Sequence, residues 1–150
     1  MKLWRISRAA FADLDGEGAR LYGGRWNSEG IAVAYLSTSL SLAALEYLVH
    51  LDVSLAPMDL VSVEVEVPDG VSREEVDLEA LPEGWSAVSD HPFCVDTGDE
   101  WIRRGESCLL LVPSAVIPKS WNVLLNPAHP DARRIVSTTE PFAFDRRLLE

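Results

Sequence analysis

Long uncharged stretches are missing from this chain: no run approaches the roughly 18 apolar residues that a membrane-spanning helix requires. The opening Met1-Lys2-Leu3-Trp4-Arg5 puts charge and an indole where a secretory leader needs a continuous apolar run, so a cytoplasmic location is expected. Cysteine is scarce. Cys94 and Cys108 belong to no CxxC arrangement, and reduced thiols are expected in preference to a disulfide. The three histidines, His50, His91 and His129, are scattered without ligand spacing, so no metal is expected. Basic residues are also few, 13 Lys and Arg against 24 Asp and Glu, for a net charge of −11. Such a surface repels phosphate backbones, and the arginine pairs at 103–104, 133–134 and 146–147 are dispersed among carboxylates. Direct nucleic-acid binding is therefore not expected, and RNA cleavage is disfavoured on the same ground. A basic protein partner suits the acidic surface. The glycine-rich G-x-G-x-x-G fingerprint is absent, so any nucleotide must be held by something other than a Rossmann unit.

What is present fits one domain spanning residues 1–150, long enough to bury a core, with 47% hydrophobic residues and no internal repeat. Leu60 to Val67 alternates strictly, with Val61, Val63, Val65 and Val67 on one face and Ser62, Glu64 and Glu66 on the other. That period of two predicts a half-buried strand closed by Pro68-Asp69-Gly70. Further strands are predicted over Leu3–Ile6, Ile31–Leu36, Cys108–Val112 and Trp121–Leu125, with a weaker one near Pro141–Phe144. The clearest helix runs from Leu40 to Leu51, entered through Ser37-Thr38-Ser39, which can supply an N-cap. A short second helix is predicted over Asp99–Arg104 and a turn after Pro130, while the acidic Ser72–Asp90 stretch reads as loop with one helical turn. Several strands, few helices and no βαβ alternation make the expected class α+β: a compact single domain with mixed strands and a few short helices.

Glu46 stands out. In the apolar Leu42–Val49 segment, helical periodicity places Leu42, Leu45, Glu46 and Val49 on one stripe. A carboxylate there is costly unless paired, or else it sits at the rim, solvated or paired with His50 one turn later. Arg25 lies in Leu21-Tyr22-Gly23-Gly24-Arg25-Trp26-Asn27, where two glycines permit a tight turn or close approach to a ligand. Guanidinium suits bidentate phosphate contact; the plain alternative is a solvated Arg25 with Trp26 in the core. Tyr35 ends a strand just before the helix and reads either as a cleft residue or as core with its hydroxyl bonded. Ser114 leaves the apolar strand Leu109–Val112, a common position for a ligand contact, but no GxSxG elbow surrounds it. Asn122, Asn126 and His129 sit among prolines and are expected to bond turn backbone.

Taken in order, GGRWN at 23–27, AYLSTSLSLAALEYLVH at 34–50 and LLVPSAVIPKSWNVLLNPAHPDA at 110–132 resemble the RES domain family. The resemblance implies a bacterial toxin with a fold like that of ADP-ribosyltransferases, blocked by an Xre-type antitoxin. It implies consumption of NAD as substrate, with no cofactor, by glycohydrolysis, phosphorolysis or ADP-ribosyl transfer to a protein acceptor. Carried over by motif position, the catalytic residues are Arg25, Tyr35, Glu46 and Ser114, with Arg25, Trp26, Tyr35, Ser114 and Asn126 holding NAD. Arg25 is then expected to grip the pyrophosphate, Trp26 to shape that wall, Tyr35 to meet the nicotinamide ribose and Ser114 to orient ribose or carboxamide. A decayed, non-catalytic nucleotide- or antitoxin-binding module is the alternative of another class. For assembly, a homodimer is the default expectation, because closed twofold symmetry is common.

Overall fold

The computed structural model describes residues 1–150 as a seven-stranded mixed sheet with three α-helices, the expected α+β class. The strands are β1 (Lys2–Arg8), β2 (Ala34–Ser37), β3 (Leu60–Glu66), β4 (Arg73–Glu75), β5 (Leu109–Pro113), β6 (Trp121–Leu125) and β7 (Val136–Pro141). The helices are α1 (Glu17–Tyr22), α2 (Leu40–Leu48) and α3 (Pro92–Arg104). Strand order is β4-β5-β6-β2-β1-β3-β7, every pairing antiparallel except β4 with β5.

The alternation in β3 does what its period requires. Val63 and Val65 are fully buried and join Leu3, Leu36, Leu109, Val123 and Leu125 in the largest core cluster. A second cluster of Trp26, Val33, Cys94, Trp101, Leu110, Val112 and Leu124 seats α3 on the opposite face. A third, smaller one, built on Ile6, Ala43 and Leu60, seats α2 with help from Trp4, Leu40 and Tyr47. Burying apolar area of this kind is the main favourable term in folding. Cys94 and Cys108 are free and buried in these clusters. No helix is long and apolar enough to cross a membrane.

The structure departs from expectation in several places. Ile31–Val33 is unpaired, and β2 begins only at Ala34. Helix α2 stops at Leu48, and the N–H groups of His50 and Leu51 turn back to the carbonyls of Tyr47 and Leu48. Its buried face runs through Leu42 and Ala43, while Leu45 and Val49 are exposed, so the predicted stripe is rotated. Helix α3 starts seven residues earlier than Asp99, at Pro92, because His91 accepts the Phe93 N–H and Pro92 occupies the first turn. Within the acidic stretch, β4 pairs in parallel with β5, and single 3-10 turns form at Leu78–Ala80 and Trp85–Ala87. The last strand is Val136–Pro141; Phe142 and Phe144 pack against each other instead, with Phe144 stacked on Tyr47. The turn after Pro130 is present as a 3-10 helix, with His129 capping Asp131.

Helix α3 rests directly on the backbone before Asn27. A Cβ built on Gly98 would lie 1.7 Å from the Trp26 carbonyl oxygen. Gly98→Ala therefore forces α3 and the 23–27 turn apart and should lower stability by about 2 kcal/mol or more, read as a reduced urea midpoint at constant m.

Candidate active site

Strands β1 and β2 meet at one residue pair, Trp4 with Ser37, and part beyond it. A cavity of about 470 Å³ fills the opening. It is within the range typical of small-molecule sites, roughly 300–1,000 Å³. Its walls come from β1, β2, α1, the 23–26 turn, α2 and the ends of β5 and β6.

Glu46 reaches this cavity because Ser39 caps α2 by accepting the Leu42 N–H, and one further turn carries position 46 to the cleft. Its carboxylate is half-buried and pinned at one oxygen. Ser114 Oγ donates to Oε1 at 2.6 Å and Asn122 Nδ2 donates to the same atom at 2.7 Å. Asn122 is itself fixed, its Oδ1 accepting from Ser37 Oγ at 2.8 Å. Oε2 has no protein partner, and Glu46 lines the cavity. The carboxylate is bonded to Ser114 and Asn122 and not to His50, which lines the cavity independently.

Ser114 stands behind this carboxylate. It is 5% exposed, and its Oγ accepts the N–H groups of Val116 and Ile117 at 3.1 and 3.0 Å while donating to Glu46. With both roles filled, the hydroxyl holds Glu46 and does not form part of the cavity wall, contrary to the expected ligand contact.

The GGRWN turn is a tied structure. Gly23 adopts a positive φ of 71°, and a Cβ on Gly24 would lie 2.6 Å from the Tyr35 hydroxyl. That hydroxyl donates to Asn27 Oδ1 at 2.6 Å and accepts the Trp26 N–H at 3.0 Å. Burial pushes the Tyr35 phenol well above its ordinary range, so it is neutral at any physiological pH. Asn27 Nδ2 in turn donates to the carbonyls of Ala19, Ser28 and Ile31, and Asp99 of α3 accepts from Ser28 N–H and Oγ. Arg25 extends from this turn into the cavity wall. Its Nη1 donates to the carbonyls of Trp85 and Val88 at 3.2 and 3.0 Å, and its guanidinium lies 5.8 Å from the Trp85 ring centroid.

Arg25, Trp26, Tyr35 and Glu46 thus share the cavity. Trp26 is 2% exposed, so its indole is mainly core, as the plain alternative held. Asn126 lies off the cavity: it is 4% exposed, and its Oδ1 accepts the Ala128 N–H in the turn after β6. Asn122, read from sequence as a turn former, is on the wall against Glu46. Arg5 also lines the cavity, and its one sequence signal is an arginine inside an otherwise apolar strand segment. No group of three or more His, Cys, Asp or Glu side chains is placed to hold a metal ion.

Comparison with known proteins identifies relatives of this chain. The RES domain pattern matches residues 2–146. A Pseudomonas putida protein named Toxin Res is 41% identical over 150 residues, covering 99% of each chain. A Sphingobium sp. protein named Prs ADP-ribosylating toxin is 40% identical over 153 residues, covering 97% of this chain and 95% of its own length. Among solved structures, a chain of the M. tuberculosis MbcT–MbcA toxin–antitoxin complex superposes with a TM-score of 0.74 at 18% identity, covering 93% of this chain and 83% of that one. That last likeness is one of fold.

Tyr35→Phe removes the hydroxyl that joins Trp26 to Asn27 and leaves two buried groups without their partner. The expected loss is about 1–3 kcal/mol of stability by urea denaturation. A variant as stable as the parent would remove Tyr35 from this scaffold.

Proposed function

The chain belongs to the RES domain family, and from that membership we propose that it is the toxin of a toxin–antitoxin pair and breaks the nicotinamide–ribose bond of NAD. The observation that carries the reading is the carboxylate of Glu46, held by Ser114 and Asn122 through one oxygen with the other left to the cavity. Fission of the bond sends its electron pair onto nicotinamide, which leaves as a neutral ring and needs no strong general acid. Positive charge builds on the ribose, as in glycoside hydrolysis. A carboxylate that cannot rotate away stabilises that charge more than it stabilises the ground state, which is what lowers a barrier.

The surrounding residues divide by task. Ser114 and Asn122 orient Glu46. Tyr35 shapes the 23–27 turn, and Arg25 borders the cavity from that turn while tying down the segment around Trp85. An acceptor oxygen then forms the new bond to the ribose carbon and releases a proton. Water makes the enzyme a glycohydrolase and phosphate a phosphorylase. A protein nucleophile makes it an ADP-ribosyltransferase, the reading favoured by a relative named for ADP-ribosylation. The proposed partner is an antitoxin of the Xre type; the solved neighbour of like fold is in a complex with its antitoxin. With a net charge of −11, this chain would favour a basic complementary patch.

The test is incubation of the purified protein with NAD, following free nicotinamide by chromatography with and without phosphate. Glu46→Gln preserves volume and removes charge, and should lower turnover by roughly 10²–10³-fold. A folded Gln variant with parental turnover would overturn the assignment of Glu46. Phosphate dependence separates phosphorolysis from hydrolysis, and a mass increase on a protein acceptor identifies transfer.

A further inference from the structure

An acceptor that attacks the ribose gives up a proton, which a general base in the cleft would take. Guanidinium and phenol groups are already protonated near neutral pH. Among the residues lining the cavity, only Glu46 and His50 can take a proton up. Glu46 is poorly suited to it. Its negative charge opposes the positive charge on the ribose, and a proton taken in the same step would remove that charge when it is needed.

His50 differs from the other two histidines. Nδ1 of His91 accepts the Phe93 N–H at 3.2 Å and Nδ1 of His129 accepts the Asp131 N–H at 3.0 Å, so both act as helix caps. His50 is bonded through its backbone, from N–H to the Tyr47 carbonyl at 3.2 Å, and its exposed ring keeps its nitrogens free. It follows Glu46 by about one helical turn and lines the same cavity.

A second hollow adjoins the first. It measures about 210 Å³ and is lined by Tyr47, His50, Leu51, Asp52, Leu55 and Pro57. Tyr47 and His50 belong to both walls, whereas Glu46 lines the larger cavity alone. The recess is largely apolar, and its one carboxylate, Asp52, accepts from Ser54 N–H and Oγ. An uncharged hydroxyl suits such a recess better than a phosphate dianion, which Asp52 repels. A neutral hydroxyl is a weak nucleophile until its proton is taken.

We infer that His50 is the general base on the acceptor side, taking the proton of a neutral hydroxyl that enters from the smaller recess. The inference rests on the reading of the larger cavity as the NAD site. As the carbon–nitrogen bond breaks and its electron pair leaves with nicotinamide, the acceptor oxygen forms its bond to the ribose carbon. The acceptor's proton passes to an imidazole nitrogen and from there to solvent.

The test follows nicotinamide release from NAD by the parent, His50→Ala, His50→Gln and Glu46→Gln, with water, methanol, phosphate or azide as acceptor. Thermal melting establishes that each protein is folded. Azide attacks as an anion with no proton to lose, and so bypasses a base. With water or methanol, His50→Ala should release nicotinamide roughly 10²–10⁴-fold more slowly than the parent. Added imidazole should recover part of that loss. Azide should bring His50→Ala to the rate of the parent with azide, yielding the azide adduct of ADP-ribose. His50→Gln keeps most of the side-chain bulk, should respond to azide in the same way, and decides alone if His50→Ala does not fold. Glu46→Gln should stay slow with every acceptor. Three outcomes overturn the inference and leave NAD cleavage in place: unchanged release by a folded His50 variant, a loss that azide does not restore, or rescue of Glu46→Gln by azide. A parent that turns over only with phosphate or azide overturns it as well. A folded parent that releases no nicotinamide with any of these acceptors overturns the NAD reading and the inference with it.

Discussion

The fixed carboxylate of Glu46 is the constraint around which the rest of the site is arranged. A half-buried negative charge is tolerable only where donors meet it, and here they come from outside its own helix. Asn122 is delivered by β6 and Ser114 by the turn leaving β5. The pairing of Val112 with Asn122 and of Ser37 with Asn122 sets where that amide points. A slip of one residue in either pairing would turn Asn122 to the opposite face of the sheet and leave Oε1 with one donor fewer. The hydrophobic alternation of the central strands therefore serves the chemistry indirectly, because it determines register.

The opposite wall depends on packing more than on charge. The GGRWN turn is held by Tyr35 from the sheet and by Asp99 from α3, and it is pressed by α3 at Gly98. Each contact reaches backbone atoms. Side chains at 24 and 98 are excluded for the same reason: a Cβ at either would occupy space already taken by a hydroxyl or a carbonyl. Tyr35 and Ser114 both have their hydroxyls committed to protein partners, one tying the 23–27 turn that carries Arg25 and the other tying Glu46.

The parts of this architecture that were legible in sequence are those with a strong local signal. Strand β3 shows an unbroken period of two, β6 an apolar run with clear limits, and α2 a serine cap before an apolar segment. Glu46 was visible because a charge interrupts that segment. The remaining elements lack such signals. Helix α1 has six residues, too few for periodicity; β4 has three, and its order comes from β5 alone. Helix α3 contains Asp96-Thr97-Gly98-Asp99, which reads as loop until Gly98 is seen against Trp26. Strand β7 is an edge strand with all six residues exposed, so no buried face marks it. The contacts of Asn122 and Ser114 with Glu46 were not legible because a hydrogen bond across 76 or 68 positions leaves no trace in local sequence. The family resemblance located Ser114 but could not say which way its hydroxyl faced.

The charge distribution ties the cleft to its surroundings. The protein surface is strongly acidic, yet the cavity holds two arginines and one histidine against a single carboxylate. A long polyanion must lie along the outer surface, where repulsion accumulates over many phosphates. A compact nucleotide meets that field only over a short approach, and at physiological ionic strength it is screened beyond about 8 Å. Inside the cleft the sign reverses and low-dielectric walls strengthen the attraction. The same acidity that disfavours nucleic acid is therefore compatible with a small anionic substrate, provided the basic groups lie in a recess. Glu46 can share that recess because its carboxylate is held by neutral donors, Ser114 and Asn122, and not neutralised by Arg5 or Arg25. Direct ion pairing would cancel both the positive charge of the recess and the negative charge of Glu46. Neutral donors let both signs of charge persist within one cavity.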